Sequence, residues 1–271
     1  MNYMKITSIS NPKIKTVLEI KRRKRGAEQK FFIIEGPHLI EMALNTETPV
    51  KEIFFSEIFG GKREGQSILS QLSGQKVRIF EVADHVLNKI TDTETPQGIV
   101  AVVDCRPLSL EELPLKKNPL LVVCDSIQDP GNLGTIIRTA DAAGADAVII
   151  LPGGCDIYMP KVIRATAGSI FNIPVAHAAV DELLEWARSH KIKLAVTAAD
   201  AGETVFDTQL KESIAFVFGN EAHGIQEALI KAADMALRIP VYGKAESLNV
   251  ATSAAVCLYE AARQRKGLFL Q

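Results

Sequence analysis

DPGNLGTIIRTADAAGA, Asp129 to Ala145, follows the apolar run Leu120-Leu121-Val122-Val123-Cys124, and its reading sets the fold. An apolar run, glycines at Gly131 and Gly134 and then a helical pattern make a strand–turn–helix unit of the kind that cradles phosphates. Two residues do not fit such a cradle. Asn132 stands between the glycines, and Arg138 stands where the helix is already running. The spacing is not GxGxxG, and no acidic residue ends a second strand to hold a ribose. A dinucleotide fold, and with it a small-molecule dehydrogenase, is therefore poorly supported. On the helix, Ile136, Ile137, Ala140 and Ala143 form a buried side, and Thr135, Arg138 and Asp141 share the opposite one. Taken alone, Arg138 reads as a surface ion pair with Asp141, and Asn132 as a helix N-cap.

Further strand-like runs follow at Ala147–Leu151, Leu194–Thr197, Ile214–Phe218 and Leu237–Val241. Helical patterns alternate with them at Leu133–Ala143, Pro160–Thr166, Asp181–Ser189, Ile225–Ala232 and Val250–Arg263. Near-continuous apolar strands alternating with helices predict an α/β domain with a parallel sheet covered on both faces. Upstream, Cys105 to Pro119 holds three prolines and little apolar periodicity, which predicts a linker. The expected division is a domain at 1–105, a linker at 106–118 and a second domain at 119–271. In the first domain, strands are expected at Phe31–Ile34, Ile53–Phe55, Val77–Phe80 and Gln97–Val103. Helices are expected at Pro12–Lys24 and Pro37–Leu44.

Composition narrows the class. The 271 residues are 47% hydrophobic and 23% charged, as in soluble globular chains. No apolar run approaches the roughly 20 residues of a membrane span, and the N-terminus lacks a signal-peptide core, so a cytoplasmic protein is expected. Four scattered cysteines and five histidines show no ligand spacing, which predicts neither disulfide nor metal. The net charge of −1 hides an asymmetry: residues 1–30 carry +7, whereas 31–118 and 119–271 carry −4 each. The basic excess includes Lys21-Arg22-Arg23-Lys24-Arg25, which reads either as a solvated helix face or as a polyanion footprint.

Two more loops carry chemistry. In FVFGNEAHGI, Phe216 to Ile225, glycines at the end of a buried strand expose backbone amides to a nucleoside-like ligand, and Glu221 sits among them. Its bland alternative is to complement the following helix dipole, and His223 reads as an ordinary loop histidine. In RIPVYGKAESLNVATSAAV, from Arg238, Ser247 or Asn249 would suffice to cap the last helix, and the presence of both exceeds that need.

In this order the three loops resemble the three motifs of the SpoU (TrmH) branch of the SPOUT RNA methyltransferases. The matching stretches are DPGNLGTIIRTADAAGA, GNEAHG and IPVYGKAESLNVATSAA. YMPKVIRATAGSIFNIPV resembles a further stretch of that branch, and ISNPKIKTVLEIKRRKRGAEQKFFIIEGPHLIEMAL with TPQGIVAVV resembles its substrate-binding domain. One departure is the AHG of the second motif, Ala222 to Gly224, where a second glycine or a small residue is more usual.

The resemblance implies a trefoil-knotted C-terminal domain, an exception to the rule against threaded chains, beside a smaller ribosomal-protein-like α/β domain. It implies S-adenosylmethionine held at Gly219, Ile239 and Leu248, and homodimerisation through the C-terminal domain. It implies methyl transfer to a ribose 2′-hydroxyl, with Arg138 clamping RNA and stabilising the alkoxide, and Asn132, Glu221, Ser247 and Asn249 holding Arg138 and the ribose in place. Arg22, Arg23, Lys24, Arg25, Lys161 and Arg164 would contact the RNA. Ribosomal RNA of the large subunit is the expected target. Transfer RNA, or a non-catalytic role in RNA binding or ribosome assembly, is the alternative.

Overall fold

The computed structural model describes residues 3–22, 30–46, 48–105 and 107–266. Within these the chain forms two compact units, Met1–Arg106 with Tyr158–Ile163, and Pro107–Ile157 with Arg164–Gln271.

The first unit is built on strands β1 (Met4–Ile6), β2 (Phe31–Glu35), β3 (Val50–Ser56), β4 (Arg78–Val82) and β5 (Ile99–Asp104), in the order β1-β4-β3-β5-β2. β5 runs antiparallel to both neighbours, while β4 is parallel to β1 and β3. Its helices are α1 (Pro12–Arg22), α2 (Pro37–Asn45), α3 (Glu57–Gly61), α4 (Arg63–Gln71) and α5 (Asp84–Ile90). One core gathers Ile14, Val17 and Ile20 of α1, Val86 and Ile90 of α5, and Phe54, Phe80 and Val100 from the sheet. The expected helix at the N-terminus is described as far as Arg22; Arg23, Lys24 and Arg25 lie outside the described residues.

The second unit holds β6 (Leu120–Cys124), α6 (Pro130–Ala143), β7 (Ala147–Ile150), α7 (Pro160–Thr166, shared with the first unit), β8 (Val175–His177), α8 (Val180–Ser189), β9 (Lys193–Thr197) and β10 (Glu203–Thr204). It continues with β11 (Ile214–Phe218), α9 (Glu227–Ala232), β12 (Met235–Arg238) and α10 (Val250–Lys266). The order β10-β12-β9-β11-β6-β7-β8 is parallel at every pairing. The central strands are buried along their whole length, which is why they read as unbroken apolar runs. In the stretch expected as a linker, Leu110 and Leu113 are buried in this unit's core, and Leu108 bridges to Ala176.

Two boundaries differ from the sequence reading for identifiable reasons. α6 begins at Pro130, three residues before the expected start, because proline's fixed φ suits the first helical position. Asp129, not Asn132, is therefore the N-cap, its carboxylate accepting the Asn132 backbone N–H at 2.9 Å. β12 stops at Arg238 rather than Val241, because Pro240 has no N–H to offer a ladder.

The last helix is tied to the start of β6 by Arg265. Its Nε donates to the Leu210 carbonyl at 2.8 Å and its Nη1 to that of Asn118 at 2.7 Å, while Nη2 reaches the carbonyls of Pro119 and Glu212. One planar fork thus serves four acceptors on two segments. Replacing it with methionine keeps the stem and removes these bonds, leaving the Pro119 carbonyl only the Ile214 N–H. Arg265→Met is expected to lower unfolding stability by about 2–3 kcal/mol, with Arg265→Lys recovering only part. Urea denaturation of the three proteins measures this, and equal midpoints would refute it.

Candidate active site

Parallel strands deliver their following loops to one edge of a sheet. Loops 125–129, 219–226 and 239–249 leave the carboxyl ends of β6, β11 and β12. Phe218 is the register partner of Cys124, so the first two loops start side by side. From there the chain turns opposite ways, β6 leading to β7 on one side and β11 to β12 on the other. Such a divergence opens a crevice at the strand ends.

The 219–226 loop is narrow. Asn220 and Gly224 exchange backbone hydrogen bonds at 2.9 Å each, with Gly224 at φ 73°. The Asn220 Oδ1 accepts the N–H groups of Ala222 and His223, and its Nδ2 donates to the Ser126 carbonyl. A Cβ on Gly219 would come within 2.5 Å of the Gly224 carbonyl group. The glycine is thus demanded first by the loop's own closure, before any ligand is considered.

The tight loop presents Glu221. Its Oε1 accepts from the Asp129 N–H at 3.2 Å and from the Asn132 Nδ2 at 2.9 Å, and its Oε2 from the Gln128 N–H at 3.1 Å. An ionised carboxylate only accepts, so Asn132 must turn its amide nitrogen towards Glu221 and its oxygen away. That oxygen accepts from Asn249 Nδ2 at 3.0 Å. The Asn249 oxygen in turn accepts the N–H groups of Ala251 and Thr252, capping α10. Three residues far apart in sequence form one directed relay from a carboxylate to a helix N-terminus. Asn249 is both the cap and the link, and Ser247 is not required for capping.

The relay borders a cavity of about 580 Å³, lined in part by Glu221, Ser247 and Asn249. Gly219, Ile239 and Leu248 line the same cavity. The volume suits a small organic ligand, and Ile225, Leu237, Ile239 and Leu248 are among the apolar residues of a mixed lining.

Arg138 is exposed on α6 and, among the described residues, makes no hydrogen bond or ion pair. The pairing with Asp141 does not form; Asp141 Oδ2 accepts from Asn172 Nδ2 at 3.2 Å. Lys161 and Arg164 are exposed on α7, Lys161 within the first unit and Arg164 within the second. Arg22 is exposed at the end of α1. Among the described residues no cluster of His, Cys, Asp and Glu could hold a metal, and no helix is long and apolar enough to cross a membrane.

Sequence reasoning missed Asp125. Fully buried at the end of β6, its carboxylate accepts the Gln226 N–H at 2.7 Å, the Gln226 side-chain amide at 2.5 Å and the Ser126 hydroxyl at 3.1 Å. It fastens the far end of the Glu221 loop to the first loop. An aspartate directly after an apolar strand was the available signal, but its partner lies 101 positions away.

Residues 119–259 match the SpoU rRNA Methylase family, and residues 11–101 match the MRM3-like substrate binding domain. The 23S rRNA (guanosine(2553)-2′-O)-methyltransferase of Bacillus subtilis (strain 168) is 37% identical over 94% of this chain and 97% of its own length. The 23S rRNA (uridine(2479)-2′-O)-methyltransferase of Streptomyces viridochromogenes is 32% identical over 90% of this chain and 85% of its own. A crystal structure of AdoMet-bound rRNA methyltransferase from Sinorhizobium meliloti superposes with a TM-score of 0.87 at 29% identity, covering 98% of this chain and 99% of that one.

The relay has a measurable electrostatic consequence. Partial burial pushes the Glu221 carboxyl upward, but hydrogen bonds from Asn132 and from the backbone of Glu221, Gln128 and Asp129 outweigh it and hold the group below the usual range. A carboxyl depressed in the folded state contributes stability above its unfolded value of about 4.3, and loses it as pH falls through the folded value. Asn132→Ala is expected to move the Glu221 titration upward and start acid unfolding at higher pH. The stability change should stay below about 1 kcal/mol at neutral pH, because Glu221 is solvent-exposed. Carbon-detected NMR titration of labelled glutamates checks this; an unmoved Glu221 would contradict the relay.

Proposed function

The chain belongs to the SpoU rRNA methylase family, and we propose that it methylates a ribose 2′-hydroxyl of 23S ribosomal RNA with S-adenosylmethionine. The observation that carries the reading is the Glu221–Asn132–Asn249 relay standing beside a cavity that Gly219, Ile239 and Leu248 also line. The cavity's volume, its mixed lining and the glycine-tight loop at its edge fit the cofactor, which supplies an electrophilic methyl group. Gly219, Ile239 and Leu248 would hold it, mostly through backbone.

A 2′-hydroxyl is a weak acid, so the protein must align it and favour loss of its proton. A guanidinium remains protonated in nearly every protein setting, which makes Arg138 a poor base. Its fork instead binds an RNA phosphate and stabilises the developing alkoxide, while a phosphate oxygen or water takes the proton. Asn132, Glu221 and Asn249, fixed by their mutual bonds, and Ser247 at the cavity wall, position the ribose. The first domain and the basic segment with Arg22, Arg23, Lys24 and Arg25 bind RNA electrostatically, aided by Lys161 and Arg164. The site of action is the cytoplasm.

The same reading extends to topology and assembly. The C-terminal domain threads a trefoil knot and pairs with a second copy through its last helix. Ala251, Ala254 and Ala261 of α10 are buried within the unit, so the pairing face is the remainder, including Tyr259 at 55% exposure. A crystallographic trace that straightens without a crossing would remove the knot, and a monomer by sedimentation at micromolar concentration would remove the dimer.

The function is tested by incubating the protein with labelled S-adenosylmethionine and ribosomal or transfer RNA, then mapping positions resistant to alkaline cleavage. One resistant position in 23S RNA is expected; label only in transfer RNA would redirect the substrate assignment. Arg138→Ala is expected to lower transfer by about a hundredfold or more with cofactor affinity retained. Reversing the charges at Arg22, Arg23, Lys24 and Arg25 is expected chiefly to raise the KM for RNA, by a factor that shrinks as salt rises. Identical kinetic defects in the two variants would overturn this division of roles.

A further inference from the structure

The cavity wall carries charge that the relay does not use. Its ionisable lining residues are Glu221, Arg238 and Glu246. Glu221 is engaged by three hydrogen bonds at its two oxygens. Arg238 ends β12, half-buried, and Glu246 precedes Ser247 in the exposed loop. Among the described residues neither side chain makes a hydrogen bond or ion pair. A cation and an anion, each without a partner among the described residues and both on the wall of one cavity, complement a ligand that carries both signs. The apolar lining residues Ile225, Leu237, Ile239 and Leu248 suit the rest of such a ligand.

We propose that Arg238 and Glu246 recognise the amino-acid end of S-adenosylmethionine, Arg238 donating to its α-carboxylate and Glu246 accepting from its α-ammonium. The proposal rests on the reading of this cavity as the cofactor site and adds the part of the cofactor that two side chains, rather than backbone, would select. Neither residue touches the methyl group. The amino-acid end is the same before and after transfer, so both residues bind S-adenosylmethionine and S-adenosylhomocysteine alike. They discriminate instead against adenosine thioethers that lack the zwitterion.

Calorimetric titration of the full chain, Arg238→Gln and Glu246→Gln decides the matter. The ligands are S-adenosylmethionine, S-adenosylhomocysteine and 5′-methylthioadenosine, which keeps the adenosine and thioether but has no amino-acid end. Each substitution is expected to weaken the first two about tenfold, the effect of a charge-assisted hydrogen bond moderated by solvent, and to change the third by less than about twofold. Circular dichroism confirms that the variants fold. Full affinity of both variants for S-adenosylmethionine, or an equal loss for 5′-methylthioadenosine, overturns the proposal and leaves the cofactor site standing. A wild-type chain that binds none of the three overturns the cofactor reading itself, and this proposal with it.

Discussion

The hydrogen bonds converging on the Glu221 carboxylate fix the polarity of the site around it. A carboxylate has no proton to give, so every neighbour must present a donor. Asn132 obeys by facing its Nδ2 to Glu221, which leaves only its oxygen for Asn249. Asn249 must then offer its own nitrogen, and its remaining oxygen meets the free N–H groups at the start of α10. Each amide is held at both ends, so its orientation has no alternative of equal energy. The consequence is a geometry fixed by the protein's own bonds, before any ligand binds.

This relay depends on the sheet beneath it. Parallel strands in register bring loops from positions near 128, 221 and 249 to one edge, and no local sequence feature could do that. Two further ties keep the loops at the right height. The buried Asp125 grips Gln226, and Asn220 donates to the Ser126 carbonyl, so the Glu221 loop is fastened at both of its ends to the chain leaving β6. Closure of that loop in turn excludes a side chain at Gly219. The order of causes therefore runs from strand register, to loop closure, to carboxylate placement, to amide polarity.

Much of this was legible in the residues, for physical reasons that differ by element. β6 and β11 are buried on both faces, so burial wrote itself as unbroken apolar runs. α7 was legible at both ends, Pro160 and Thr166. β1 and β10 are too short, at three and two residues, to leave a pattern against the background. The start of α6 was misplaced because Asn132 is as good a cap as Asp129 in isolation; only Pro130 between them distinguishes the two. At the site, motif resemblance named Asn132, Glu221 and Asn249, but their mutual bonds span 89 and 117 positions and have no local signature. Asp125 lay outside that reading for the same reason.

Arg138 stands apart from the relay on the same helix. The same helix carries Asn132, whose side chain is committed at both ends, and Arg138, which has no partner among the described residues. The nearest acidic candidate on that face, Asp141, is engaged by Asn172. Arg138 and Asp141 stand three residues apart on that helix without forming an ion pair, so the planar fork of Arg138 is uncommitted. A donor array left unspent on a rigid helix can be used in full on an anionic ligand. The relay contributes fixed geometry, Arg138 contributes uncommitted charge, and α6 holds the two in one frame.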